Sequence, residues 1–146
     1  MAGDIAGPVG PVDSVVLQQI RDVLVNEEPL VDSAAVDDPV NPTELVVEFS
    51  SGLDTPGRME ITWWKSGTYR YHYTEPDGID FRFDNHPKEN APDAHFHPPP
   101  DAGAAEPSFL GEETQLQVIT RAVITRWHKI AVEGATLGSL NVGTGD

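Results

Sequence analysis

The sequence predicts an α+β fold, an antiparallel sheet of about four strands (a meander) packed against an N-terminal and a C-terminal helix. Two apolar stripes with helical spacing bracket a central block whose hydrophobic period falls to two. That block is cut by two short connectors that each end in glycine. At 146 residues there is room for one ordinary core. A single domain is expected over residues 13–133, with disordered ends at 1–12 and 134–146, where Gly, Pro, Ser and Thr dominate.

The first stripe is Val16, Leu17, Ile20, Val23 and Leu24, which predicts a helix over about 14–26. Asp13 or Ser14 can cap it, and Pro29 follows its end. The second stripe, Leu116, Ile119, Val123, Trp127 and Ile130, predicts a longer helix over about 110–132. Glu112 and Glu113 then fall in its first turn, and Arg126 and Lys129 near its last, as the helix dipole favours. Both stripes are expected to be core packing, and His128 a helix-surface residue.

Between the helices, Leu45, Val47 and Phe49 alternate with Glu44, Val46 and Glu48, the pattern of a half-buried strand. Runs at 59–64, 68–75 and 79–84 follow, joined by Lys65-Ser66-Gly67 and Pro76-Asp77-Gly78. Glycine in third place is what a type I turn closed by a left-handed bulge requires. This loop length sets the register. It pairs Trp63 with Tyr69, Ile61 with Tyr71, Tyr71 with Phe83 and Tyr73 with Phe81, all on one face. The other face is then polar, with Glu60, His72 and Arg82 in one row and Thr62, Arg70 and Asp84 in the next. A carboxylate, an imidazole and a guanidinium in one row suit proton transfer and anion binding. Cross-strand charge pairs of this kind also occur as plain stabilisers.

Charge is uneven. The chain carries 24 acidic against 9 basic residues, a net of −15. Residues 58–88, the hairpin block, are neutral, which makes them a candidate surface for an anionic substrate or an acidic partner, although strands also simply carry fewer Asp and Glu. Diffuse acidity with three lysines predicts a cell of high internal salt. Four of five histidines (His72, His86, His95, His97) lie in the central third. His95 and His97 share one side of an extended segment and with His72 or Asp84 could hold a divalent metal, a weak signal without a firm third ligand. No metal or other cofactor is therefore assigned. Residues 98–107 read as a Pro- and Ala-rich linker.

With no cysteine, disulfides, thiolate metal sites and thiol nucleophiles are excluded. Met1-Ala2-Gly3-Asp4-Ile5 lacks the basic and apolar regions of a signal peptide, and no apolar run reaches the ~18–20 residues of a membrane span, so a cytoplasmic location is expected.

Tyr69-Arg70-Tyr71-His72-Tyr73, then Asp77-Gly78, then Phe81-Arg82-Phe83-Asp84-Asn85 resembles the TumE family, the small toxin components of toxin–antitoxin pairs. That family's pattern continues with a proline, a His-rich stretch and a C-terminal helix, matched here by Pro87, His95, His97 and the second helix. After Asn85 the chain reads His86-Pro87-Lys88-Glu89, where family members tend to place a histidine directly after the proline. The resemblance implies a growth-inhibiting toxin with an antitoxin partner, expected to be of helix-turn-helix type. Joined to the polar face, it suggests a metal-independent ribonuclease. Its candidate catalytic residues are His72, Arg82, Arg70, Asp84, Glu60, His95 and His97, with Trp64 and Phe96 as exposed aromatics for stacking on RNA bases. Two other readings stay open: a non-catalytic protein-binding module, and a small metal-binding module.

Overall fold

The structure, a computed structural model, describes residues 10–86 and 93–143. Helix α1 (Ser14–Glu27) opens on Asp13, whose carboxylate accepts from the Val16 N–H at 3.1 Å. Seven strands follow: β1 (Val31–Val36), β2 (Leu45–Phe49), β3 (Arg58–Trp63), β4 (Tyr69–Thr74), β5 (Asp80–His86), β6 (Asp93–His97) and β7 (Glu106–Pro107). Helix α2 (Leu116–Glu133) and a 3-10 turn (Leu137–Asn141) complete the chain. The strands form one sheet in chain order with every neighbouring pair antiparallel. The expected meander is thus present, but as part of a seven-stranded sheet rather than one of about four strands. Strands β1, β6 and β7 are the additions.

Both glycine loops take the predicted form. Gly67 and Gly78 have φ of 93° and 101°, a region where a Cβ is strained. Across the first loop the Trp64 N–H donates to the Thr68 carbonyl at 2.9 Å, and across the second Glu75 donates to Ile79 at 2.8 Å. The register is the one the loop lengths demand. Ile61 faces Tyr71, Tyr71 faces Phe83, and Tyr73 faces Phe81.

The aromatic face is the core, and both helices lie on it. Phe49 packs against Trp127 with centroids 4.3 Å apart, and the Tyr71 and Thr120 hydroxyls are hydrogen-bonded at 2.7 Å. Burial pushes the Tyr71 phenol well above its ordinary pKa. Arg21 Nε donates to the Ala34 carbonyl at 2.8 Å, tying α1 to β1. Glu75 is buried at the end of β4, where its carboxylate accepts from the backbone N–H groups of Leu53, Asp54 and Thr55 and from the Tyr73 hydroxyl. It fixes the β2–β3 loop to the sheet. Among the described residues no helix is long and apolar enough to cross a membrane.

Four expectations are corrected. Helix α2 begins at Leu116, not near 110, because Gly111 adopts φ 55° and the Glu113 carboxylate accepts from the Thr114 and Gln115 N–H groups. Glu112 and Glu113 therefore precede the helix, and its last turn holds no basic residue. Arg126 points inward, donating to the Val142 carbonyl at 2.7 Å and covering the Phe109 ring at 3.7 Å. His128 is no plain surface residue, since its Nδ1 is 2.8 Å from Glu28, a carboxylate only 4 % exposed. The stretch expected as a loose C-terminal tail contains the 3-10 turn, whose Leu140 is fully buried. At the other end Pro11 and Asp13 bond to Lys65 and Trp63; residues 1–9 and 144–146 lie outside the described residues.

Candidate functional site

The outer, polar face of the sheet brings together most of the candidate residues. Glu60, His72, Arg82 and His97 lie in one row across β3 to β6, and Thr62, Arg70, Asp84 and His95 in the next. The first three of each row are placed as the loops predict. Strand β6 adds a histidine to each, because alternation there turns Ala94 and Phe96 inward and His95 and His97 outward. Phe96 is consequently 3 % exposed, with its ring 4.6 Å from Phe83, and the expectation that it stacks on a base fails.

Asp84 is the buried centre of the face, 2 % exposed. Arg82 Nε donates to Asp84 Oδ2 at 2.9 Å, and His95 Nδ1 lies 3.9 Å from Asp84 Oδ1. His97 Nδ1 donates to the Gly103 carbonyl at 2.9 Å, since a carbonyl can only accept. Its Nε2 lone pair then accepts from Arg82 Nη2 at 3.2 Å. His97 thus holds Arg82 in place rather than facing solvent as a proton carrier. The segment that supplies Gly103 was expected to be a linker. Instead it folds back on the sheet, its Ala102 N–H donating to the Asp80 carbonyl at 2.8 Å, and ends in β7.

His72 differs from expectation in its partner. Glu60 is held by Arg58 at 2.9 Å, which also reaches Glu48 at 3.4 Å. The carboxylate beside His72 is Asp80, with Oδ1 2.7 Å from Nε2. A carboxylate accepts, so Nε2 carries the hydrogen, and in the neutral ring Nδ1 then keeps the lone pair. Asp80 faces Thr74 across the hairpin, two pairs along from His72 and Arg82 and so on the same face. The signal that reveals it is the diagonal contact open to every same-face pair in an antiparallel ladder. Arg70 is exposed and lies over the Trp64 ring, 5.7 Å from its centroid.

The face is electrically graded. On its β2 side Glu44 is pushed above the usual carboxylate range, by burial first and then by Glu60 and Asp37. Toward β5 the guanidinium groups of Arg70 and Arg82 and three imidazoles take over. Among the described residues no three His, Asp or Glu side chains are grouped to hold a metal ion. Pro87, Lys88 and Glu89, part of the motif used above, fall outside the described residues.

A family model described as Toxin TumE matches residues 20–128, about three quarters of the chain. The chain belongs to the TumE toxin family. The match takes in all the strands, both rows of the polar face and most of α2. No curated protein and no solved structure matches the chain. A TumE-type toxin implies an antitoxin partner, and the polar face is the chemically richest surface that this TumE-family chain offers.

Proposed function

We propose that this TumE-family protein inhibits growth as a metal-independent ribonuclease, working on single-stranded RNA at the outer face of the sheet. One arrangement supports this above all: the His72–Asp80 pair on one side of Arg82 and His95 on the other. Neighbouring strands lie ~4.8 Å apart, so β4 and β6 put the two imidazoles on positions about 10 Å apart, flanking β5. A phosphodiester seated on Arg82 fits between them.

In the proposed step His72 Nδ1 takes the proton from the ribose 2′-hydroxyl, while Asp80 stabilises the ring as it charges. The 2′-oxygen attacks phosphorus, and Arg82, held by Asp84 and His97, meets the growing phosphorane charge. The bond from phosphorus to the 5′-oxygen breaks, and that oxygen takes a proton from His95. A cyclic 2′,3′-phosphate and a 5′-hydroxyl remain. Trp64, backed by Arg70, offers a ring on which a neighbouring base can stack. Glu60 is left as a partner of Arg58, outside the proton path. The test is cleavage of single-stranded RNA by the purified protein in a chelator, with the new ends identified.

The antitoxin is proposed to be a helix-turn-helix protein. The acidic composition suits a cell of high internal salt, where counterion release contributes little and RNA must be held by stacking and short hydrogen bonds. Melting midpoints in molar and in millimolar KCl test this: a fall in dilute buffer is expected, and an unchanged midpoint contradicts it. A second reading, a protein-binding module with no toxicity, is favoured by one observation. A net charge of −15 is unusual for a protein that meets a polyanion. Intact RNA in the cleavage assay would favour it.

A further inference from the structure

We infer that the cavity beside His95 is a base pocket that reads guanine through the Glu112 carboxylate, an inference that rests on the ribonuclease reading for its setting. The cavity holds about 540 Å³, within the range of small-molecule sites. It opens where β6 begins and β7 ends, beside the turn before α2. His95 lines it and also stands in the second row of the polar face, so the pocket is continuous with the site.

Its walls select the occupant. Ala105 and Pro107, both exposed, give an apolar wall against which a flat ring can lie. Among the described residues no Lys or Arg lines the cavity, while Glu106 and Glu112 do. A phosphate is repelled by such a lining, whereas a group rich in N–H donors is drawn to it. Glu106 is partly committed, its Oε1 accepting from Asn141 Nδ2 at 3.2 Å. Glu112 makes no hydrogen bond or ion pair among the described residues, and it is exposed at the cavity wall.

A carboxylate presents two parallel acceptors. Guanine presents two parallel donors, N1–H and the N2 amino group, on its Watson–Crick edge. Adenine, cytosine and uracil each lack that adjacent pair, so a two-point match with Glu112 discriminates against them. The phosphate is shared by all nucleotides, so base preference isolates the pocket from Arg82. A basic side chain from a protein partner suits the same carboxylates, but it has no reason to be centred beside the proton-donating histidine.

The test is titration of the purified full chain with guanosine, adenosine, cytidine and uridine 3′-monophosphates, followed by calorimetry and by amide shifts around 94–112. Guanosine 3′-monophosphate should bind roughly ten- to a hundredfold more tightly than the others. Glu112→Gln should erase that preference while uridine 3′-monophosphate binding stays as in the wild type. Guanine-selective binding by a protein that cleaves no RNA would leave the pocket standing and remove the cleavage reading. Equal binding of all four nucleotides overturns the inference, as does a preference that survives in Glu112→Gln. A Glu112→Gln change that weakens only the hold on a basic protein partner overturns it too.

Discussion

His72→Ala should abolish growth inhibition and lower RNA cleavage by roughly 10²–10⁴-fold, the usual worth of a general base. The variant should also melt within about 1 kcal/mol of the wild type, because His72 is partly exposed on the outer face and its polar partner among the described residues, Asp80, remains in reach of water. Asp80→Asn should give an intermediate loss, since the ring keeps its place but the imidazolium loses its counter-charge. Arg82→Ala is a poorer probe than its exposure suggests. It strips the guanidinium from Asp84, a carboxylate 2 % exposed, so a loss of activity would be mixed with a loss of stability. Arg82→Lys keeps the charge and loses the forked geometry, so a folded but inactive Arg82→Lys protein supports the phosphate role. Arg121→Ala, an exposed ion pair with Glu27 on the helical side, should leave activity unchanged. His128→Ala does not serve as that control, because it deprives the buried Glu28 of a partner. Full toxicity in a folded His72→Ala protein rejects the catalytic assignment.

The largest effect on stability should come from Glu75. Its side chain gathers three backbone N–H groups from the β2–β3 loop and the Tyr73 hydroxyl into one carboxylate. Glu75→Ala leaves those donors without an acceptor inside the protein, at about 1–3 kcal/mol for each one that water cannot reach. A loss of about 4 kcal/mol or more is a large share of the 5–15 kcal/mol that holds a domain together. Glu75→Gln keeps the shape but turns an N–H donor toward other donors, so it should lose about half as much. Urea unfolding of both variants checks this. A Glu75→Ala midpoint close to the wild type would mean the loop is held by something else. The tightness of this loop has a second mark. A Cβ on Gly52 would run into the Thr55 carbonyl and the Glu75 carboxylate, so Gly52→Ala should mimic part of the Glu75 defect.

The two central hairpins were legible because three constraints agreed in residues 59–84: turn glycines, period-two alternation and loop length. A register shifted by one residue would have put His72 beside Phe81 on the aromatic face. Strand β1 carried no such agreement. Its Asp32-Ser33-Ala34-Ala35 centre has little strand preference, and its pairing is broken by a bulge between Val31 and Ser33. Strand β6 offers only Ala94 and Phe96 to the core between two prolines, Pro92 and Pro98, so its inward alternation is too short to read. The site was legible in the same proportion. His72, Arg82, Arg70 and Asp84 follow from the hairpins, whereas the position of His95 and His97 beside Asp84 and Arg82 depends on β6. Asp80 was hidden for a different reason. Cross-strand pairing puts Thr74 opposite it, and only the side-chain geometry turns its carboxylate diagonally to His72.

The most direct test of a metal-independent cyclising ribonuclease is the chemistry of the ends it makes. Purified protein is incubated with single-stranded RNA in molar KCl and excess EDTA, and the fragments are sized and their termini identified. Cleavage to 2′,3′-cyclic phosphate and 5′-hydroxyl ends, absent with folded His72→Ala protein, is the predicted result. RNA that stays intact, fragments bearing 5′-phosphates, or equal cleavage by His72→Ala would each contradict it.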